Sequence, residues 1–256
     1  LGGAHAPRKR LGRLGRRVLA ECGPRVSEEA VCCAAEIGSG ARVGDGSLVV
    51  DSRLGDGFRV GNRCVVVNLD SRDEEFTLWD NLCLWQIPVA SEEMPDARVT
   101  LCCGVDDNPK ASPGEATFCN RRLDQWLSAH GATGADLWPE GGAESLWTAR
   151  LFPAQPAAAG LALARWMTAR HPAGAAATAA RWRALPRESF ASLHLKTDIG
   201  RLLRERGARR SGMALRALRG AVKGRLERNV QSLCAQLAGE RIARRRRRWR
   251  RPCRNG

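Results

Sequence analysis

Between Ile37 and Val66 aliphatic residues recur at intervals of six, a period that belongs to neither a helix nor a hairpin. Ile37, Val43 and Val49 open three successive sixes, and after one five-residue step Leu54, Val60 and Val66 open three more. Gly-x-Gly follows Ile37, Val43 and Leu54. The pattern predicts a mainly β fold, a left-handed β-helix of hexapeptide repeats, with each hexapeptide forming one side of a triangular coil. The aliphatics then face inward, and the glycines relieve the backbone at corners where a Cβ is costly. Gly55-Asp56-Gly57-Phe58-Arg59-Val60 approaches a dinucleotide-binding loop but carries Val60 where the last glycine belongs, so it reads as coil.

Downstream, short apolar segments such as Leu82–Ile87 and Val99–Cys103, broken by Pro88 and Pro95, predict strands that continue the β layer or cover its end. Helical patterning begins at Leu123–His130, sharpens over Leu161–Ala169, and returns over Ser189–Ile199 and Arg201–Ala238. Ala173–Ala180 reads as a linker or surface helix. Leu215, Leu218, Val222, Leu226, Val230, Leu233 and Leu237 form an apolar stripe that is expected to face a partner element. The expected organisation is a basic segment over 1–29, a β-helix domain with covering strands over 30–155, an α-helical region over 156–240, and an Arg-rich disordered tail over 241–256. The chain reads as the carboxy-terminal piece of a larger enzyme.

Charge changes this picture at the ends. The net charge is +15, yet residues 27–200 hold 16 basic and 23 acidic residues. An acidic centre does not favour phosphate backbones, so nucleic acid is not expected as a partner and the Arg-rich tail reads as a solvated terminus. No uncharged apolar run reaches the length of a membrane span, so no membrane partner is expected either. Of the 10 cysteines, Cys32-Cys33 and Cys102-Cys103 are adjacent and no C-x-x-C occurs. They read as small apolar residues of a reducing, cytoplasmic compartment rather than as metal ligands.

Candidate chemistry is sparse. The four histidines lack ligand spacing, and no nucleophile elbow or phosphate loop occurs, so neither catalytic nor metal-binding residues are expected. The turn Gly104–Lys110 gathers carboxylate, amide and ammonium groups, and Asp107, Asn108 and Lys110 are the candidate substrate-binding residues. Its competing reading is a capped turn, which Asp and Asn ahead of Pro109 favour. The aromatics of Trp138, Trp147 and Phe152 read as packing.

Several strings together resemble the L-fucokinase/GDP-fucose pyrophosphorylase family: the coils from Ile37, Val99-Thr100-Leu101 leading to Asp107-Asn108-Pro109-Lys110, Ala116-Thr117-Phe118-Cys119, and Asp136-Leu137-Trp138. Leu146-Trp147-Thr148-Ala149-Arg150-Leu151-Phe152-Pro153 is the most distinctive of them. The resemblance covers residues 30–205 and lies with the carboxy-terminal half of the pyrophosphorylase module. It implies a parent that joins GTP and fucose-1-phosphate into GDP-fucose and pyrophosphate, often fused to a fucokinase. It also implies a nucleotidyltransferase half acting in cis and Mg2+ in the parent, with no cofactor in this chain. The alternative is a non-catalytic scaffold or protein-interaction module.

Overall fold

The computed structural model describes residues 17–18, 25–71, 75–139, 141 and 143–249. Residues 1–16 and 19–24 of the expected basic segment, and 250–256 of the Arg-rich tail, lie outside the described residues. The fold is a β-solenoid of about 3 turns followed by a helical carboxy-terminal part. One face stacks Val31–Cys33, Leu48–Val50, Val65–Val67 and Leu82–Pro88 in parallel. A second stacks Glu36–Ile37, Arg53–Leu54 and Asp70–Ser71, and a third Arg42–Val43, Phe58–Val60 and Phe76–Leu78. Val31 pairs with Leu48 and Leu48 with Val65, so one coil consumes two sixes and the five-residue step.

Ile37, Val43, Val49, Leu54, Val60 and Val66, the six positions expected inward, are all buried. Arg42 and Arg59, each beside an inward valine, are exposed, because neighbouring side chains on a strand leave on opposite faces. Stacked rings extend the interior where Phe58 meets Phe76 at 5.2 Å.

The glycines act differently from the expectation. Positive φ occurs at Ala34, Asp51 and Asn68, and at Gly46, Arg63 and Asn81, equivalent corners of successive coils. Of the glycines in the Gly-x-Gly strings, only Gly46 has positive φ. Gly38, Gly40, Gly44 and Gly57 are needed for closeness. A Cβ at Gly38 would lie 2.3 Å from Asp56 Oδ1, and one at Gly44 would lie 2.6 Å from the Gly61 carbonyl oxygen. Coils stacked at strand spacing leave no room there for a side chain.

The last parallel strand, Leu82–Pro88, pairs antiparallel with Arg98–Gly104, which pairs in turn with Phe152–Gln155, and that strand with Arg187–Glu188. The same sheet thus both continues the solenoid and covers its end. Helix α1 (Leu123–His130) matches its sequence pattern and ends on Gly131 in the left-handed conformation. Short α2 (Gly134–Leu137) follows. Helix α3 (Ala157–Thr168) lies on Arg98–Gly104, and Gly160 permits the contact because a Cβ there would meet Thr100 Oγ1 at 2.4 Å. Helices α4 (Ala175–Arg183), α5 (Phe190–Lys196) and α6 (Ile199–Trp249) complete the chain.

Trp126, Trp166 and Trp182 form an aromatic core with Phe118, Phe152 and His130. Phe152 is fully buried, Trp138 is half-buried, and Trp147 is exposed and stacked on Phe190. The expectation of packing therefore holds most fully for Phe152.

The chain divides into two compact units, Leu1–Arg210 and Ser211–Gly256. In the second, taken by itself, Leu215, Leu218, Val222, Leu226, Val230 and Leu233 are all exposed. Among the described residues no helix is long and apolar enough to cross a membrane.

Candidate functional site

The turn singled out in the sequence is anchored from within. Asp107 Oδ2 accepts hydrogen bonds from the backbone N–H of Gly104 at 2.5 Å and of Cys119 at 2.8 Å, while Oδ1 accepts from Thr117 Oγ1 at 2.8 Å. One carboxylate thus ties the end of Arg98–Gly104 to the hairpin of Thr117–Phe118 and Arg121–Arg122. Asn108 Oδ1 accepts from the Lys110 N–H at 3.0 Å, an Asx turn ahead of Pro109. Asn108 and Lys110 are exposed, and Asp106 lies 3.7 Å from Arg63 across the surface.

Asp106 also borders a cleft of about 1320 Å3 at the end of the solenoid, which neither Asn108 nor Lys110 lines. Three segments build it: Trp79–Leu82, which leads into the last parallel strand; Cys119–Arg121 with Gln125 and Ala129; and Thr168–His171 after α3. Local backbone explains the shape. Asn81, Cys119 and Asn120 all have positive φ, a costly conformation held by cross-links. Asn120 Nδ2 donates to the carbonyl oxygens of Asp80 and Asn81 at 3.2 and 3.0 Å, and Asp80 Oδ1 accepts from the Asn62 N–H at 2.8 Å.

The groups in this cleft are of the kinds that bind an anionic sugar. Arg121 donates through Nη1 to the Arg170 carbonyl oxygen at 3.1 Å, and both arginines line the cleft with His171. Burial pulls Arg121 below its ordinary pKa, and the Arg170 charge adds to the shift. Trp79 is 59% exposed, large for a tryptophan, and offers a ring face; Asn81 Oδ1 is buried without a hydrogen-bond partner. A buried acceptor left unpaired is uncommon and marks a position that a ligand donor or water completes. Trp79, Asn81, Arg121 and Arg170 were not singled out from the sequence. A tryptophan beside Asp80 and Asn81, between two apolar segments, was the one signal visible in the sequence.

A tightly packed thiol group flanks the cleft. Cys83 and Cys103 face each other across the antiparallel pair. The Cys103 hydrogen bond lowers the pKa of Cys83, and the pKa of Cys119 is raised well above its ordinary value by burial. Cys32, Cys64, Cys102 and Cys119 are buried. Among the described residues, no group of three or more His, Cys, Asp or Glu side chains could hold a metal ion.

No curated protein and no solved structure matches the chain. A family model, the fucose pyrophosphorylase domain, matches residues 8–157, which include the described solenoid, the covering strands Arg98–Gly104 and Phe152–Gln155, and most of the cleft. That span is more than half of the 256 residues, and it contains the Leu146–Pro153 string that carried the sequence resemblance. The chain belongs to the fucose pyrophosphorylase domain family.

Proposed function

We propose that this chain is the accessory β-helix part of a GDP-fucose pyrophosphorylase, which converts GTP and fucose-1-phosphate into GDP-fucose and pyrophosphate. The family match over the solenoid carries the reading, and the polar cleft at the solenoid's end supports it. In this reading the parent is a cytoplasmic enzyme fused to a fucokinase, its nucleotidyltransferase half acts in cis, and Mg2+ belongs to that half. The residues here bind and orient. Arg121 and Arg170 hold a phosphate, Trp79 stacks on the sugar ring, and Asn81 Oδ1 accepts from a hydroxyl. Asp107 positions the hairpin that carries Cys119, Asn120 and Arg121, while Asn108 and Lys110 reach substrate from the turn's outer side.

The test is nucleotide transfer by the full-length parent carrying Arg121→Gln, Trp79→Ala or Lys110→Ala. The reading expects KM for fucose-1-phosphate to rise about tenfold in the first two, the cost of about one charge-assisted contact. Unchanged kinetics in both would overturn the cleft as the substrate site. Unchanged kinetics in Lys110→Ala would remove the turn alone. A second reading, a protein-interaction module, is favoured by the exposed stripe from Leu215 to Leu233. It predicts normal kinetics in all three variants.

A further inference from the structure

Cys83 and Cys103 stand directly opposite each other in the antiparallel ladder of Leu82–Pro88 and Arg98–Gly104, and so on one face of the sheet. The ladder fixes which kind of pair they are. At one end the Val105 N–H donates to the Asn81 carbonyl oxygen at 2.8 Å, and at the other the Val89 N–H donates to that of Ala97 at 3.2 Å. Cys83 and Cys103 lie an even number of residues from both, so they too are a hydrogen-bonded pair, with Cα atoms about 5.5 Å apart. Disulfides form at Cα separations of about 4.4 to 6.8 Å, so the two sulfurs can be joined without moving the strands apart.

The neighbouring thiols are placed differently. Cys102 leaves on the opposite face, where it is buried with Sγ 3.7 Å from Met167 Sδ. Cys64 is buried, its Sγ donates to the Trp79 carbonyl oxygen at 3.0 Å, and burial pushes its pKa up to about 11, which leaves it unreactive. Cys83 and Cys103 are only half-buried. The Cys103 S–H donates to Cys83 Sγ, and this bond lowers the pKa of Cys83 while raising that of Cys103. Cys83 is therefore the readier nucleophile, and Cys103 keeps its proton until a second step needs it.

We propose that Cys83 and Cys103 form a modification site, a dithiol that a low-molecular-weight disulfide of the glutathione class converts into a reversible cross-strand disulfide. The Cys83 thiolate attacks one sulfur of the small disulfide, forms a mixed disulfide and expels one small thiolate. Cys103 then loses its proton and attacks Cys83 Sγ, the mixed disulfide breaks, and the second small thiolate leaves. The two cysteines give up two electrons, and the small disulfide becomes two thiols that take up the protons the cysteines release. The new bond ties the strand that follows Trp79–Leu82 to the strand whose end Asp107 holds. The site follows from strand register and does not depend on the function proposed above.

The test equilibrates the folded 256-residue chain with oxidised and reduced glutathione over a range of ratios, traps free thiols with N-ethylmaleimide, and maps disulfides by mass spectrometry of tryptic peptides. Trypsin separates 73–98, which holds Cys83, from 99–110, which holds Cys102 and Cys103, and fragmentation distinguishes the last two. The proposal expects a Cys83–Cys103 link that accumulates as the oxidised fraction rises and that excess reduced glutathione reverses. In Cys103→Ser the mixed disulfide should persist on Cys83, whereas Cys83→Ser should carry about tenfold less glutathione on Cys103. The unsubstituted chain decides the matter by itself if either variant fails to fold. Absence of the link at ratios that modify the exposed Cys234, a link to Cys102 in place of Cys103, or a link that forms only in denaturant would overturn the proposal.

Discussion

Arg210 grips Asp51 through two parallel hydrogen bonds, Nε to Oδ1 at 2.7 Å and Nη2 to Oδ2 at 3.0 Å, across 159 residues of chain. Arg206 Nε adds a third, to Oδ2 at 2.6 Å. Asp51 sits at a left-handed corner of the solenoid with its side chain wholly buried, and Arg209 reaches Asn68, the equivalent corner one coil on, at 3.0 Å. The first turns of α6 are therefore latched to a corner ladder by a carboxylate and an amide. Replacing Arg206 and Arg210 together by Ala should cost about 3 kcal/mol, because a buried carboxylate is left unpaired. Asp51→Asn should cost less, since the freed arginines return to water. Chemical denaturation of the three proteins gives the order, and equal losses would show that the buried charge is not what matters.

The same latch sets an acid limit. Burial raises the Asp51 pKa, but the Arg210 and Arg206 hydrogen bonds and charges outweigh it and hold the group below its ordinary value of 3.8. A carboxylate depressed on folding contributes stability above its unfolded pKa and loses it as pH falls through the folded value. Thermal midpoints should therefore drop steeply below about pH 4, and less steeply in Asp51→Asn.

A second pH effect belongs to His130. Its ring stacks on Trp126 at 4.3 Å, with Nδ1 2.8 Å from the Trp126 carbonyl oxygen and Nε2 2.9 Å from that of Trp166. Burial lowers its pKa from 6.5 against the pull of the two carbonyls. A histidine depressed on folding is favoured neutral, so its contribution is present above the unfolded pKa and declines as pH falls toward the folded one. Stability should decline as pH falls below about 6.5, and His130→Gln should flatten that decline while leaving the limb below about pH 4 in place.

Coil interior and exterior can be separated by two adjacent substitutions. Val60→Asp buries an unpaired carboxylate at a position 4% exposed and should cost several kcal/mol, roughly the transfer penalty, whereas Arg59→Asp on the outer face should cost well under about 1 kcal/mol. Equal tolerance measured by thermal melting would refute the inward register.

Gly61→Ala tests the stacking role of the glycines. A Cβ there would lie 2.4 Å from Asp80 Oδ1 and 2.9 Å from the Trp79 carbonyl carbon, so coils must part by some tenths of an ångström. Overpacking of this kind costs about 1–3 kcal/mol. Gly131→Ala meets nothing within 4 Å and should lose only the conformational preference for positive φ at that helix end, at about 1 kcal/mol.

The coil interior was legible in the sequence because a solenoid is local. Each inward residue packs on its equivalent one coil away, so periodicity alone assigns Ile37, Val43, Val49, Leu54, Val60 and Val66. Helix α1 was legible for the same reason, its pattern and its closing Gly131 lying within one short segment. Torsion was misassigned at the glycines because spacing does not distinguish a corner needing positive φ from a position where the next coil approaches.

The cleft and the latch depend on tertiary structure. Arg121 meets Arg170 across 49 residues, and Asp51 finds its arginines 155 and 159 residues on. Asp107 looked like a ligand group in the sequence, and the fold turned its carboxylate toward Gly104, Thr117 and Cys119. The sequence by itself determined the solenoid interior, because hydrophobic burial follows a repeat that the chain carries locally. Which charges are paired, and which are left facing a cleft, was decided only when distant segments came together, because a polar group's partner is set by position in space and not by its neighbours in the chain.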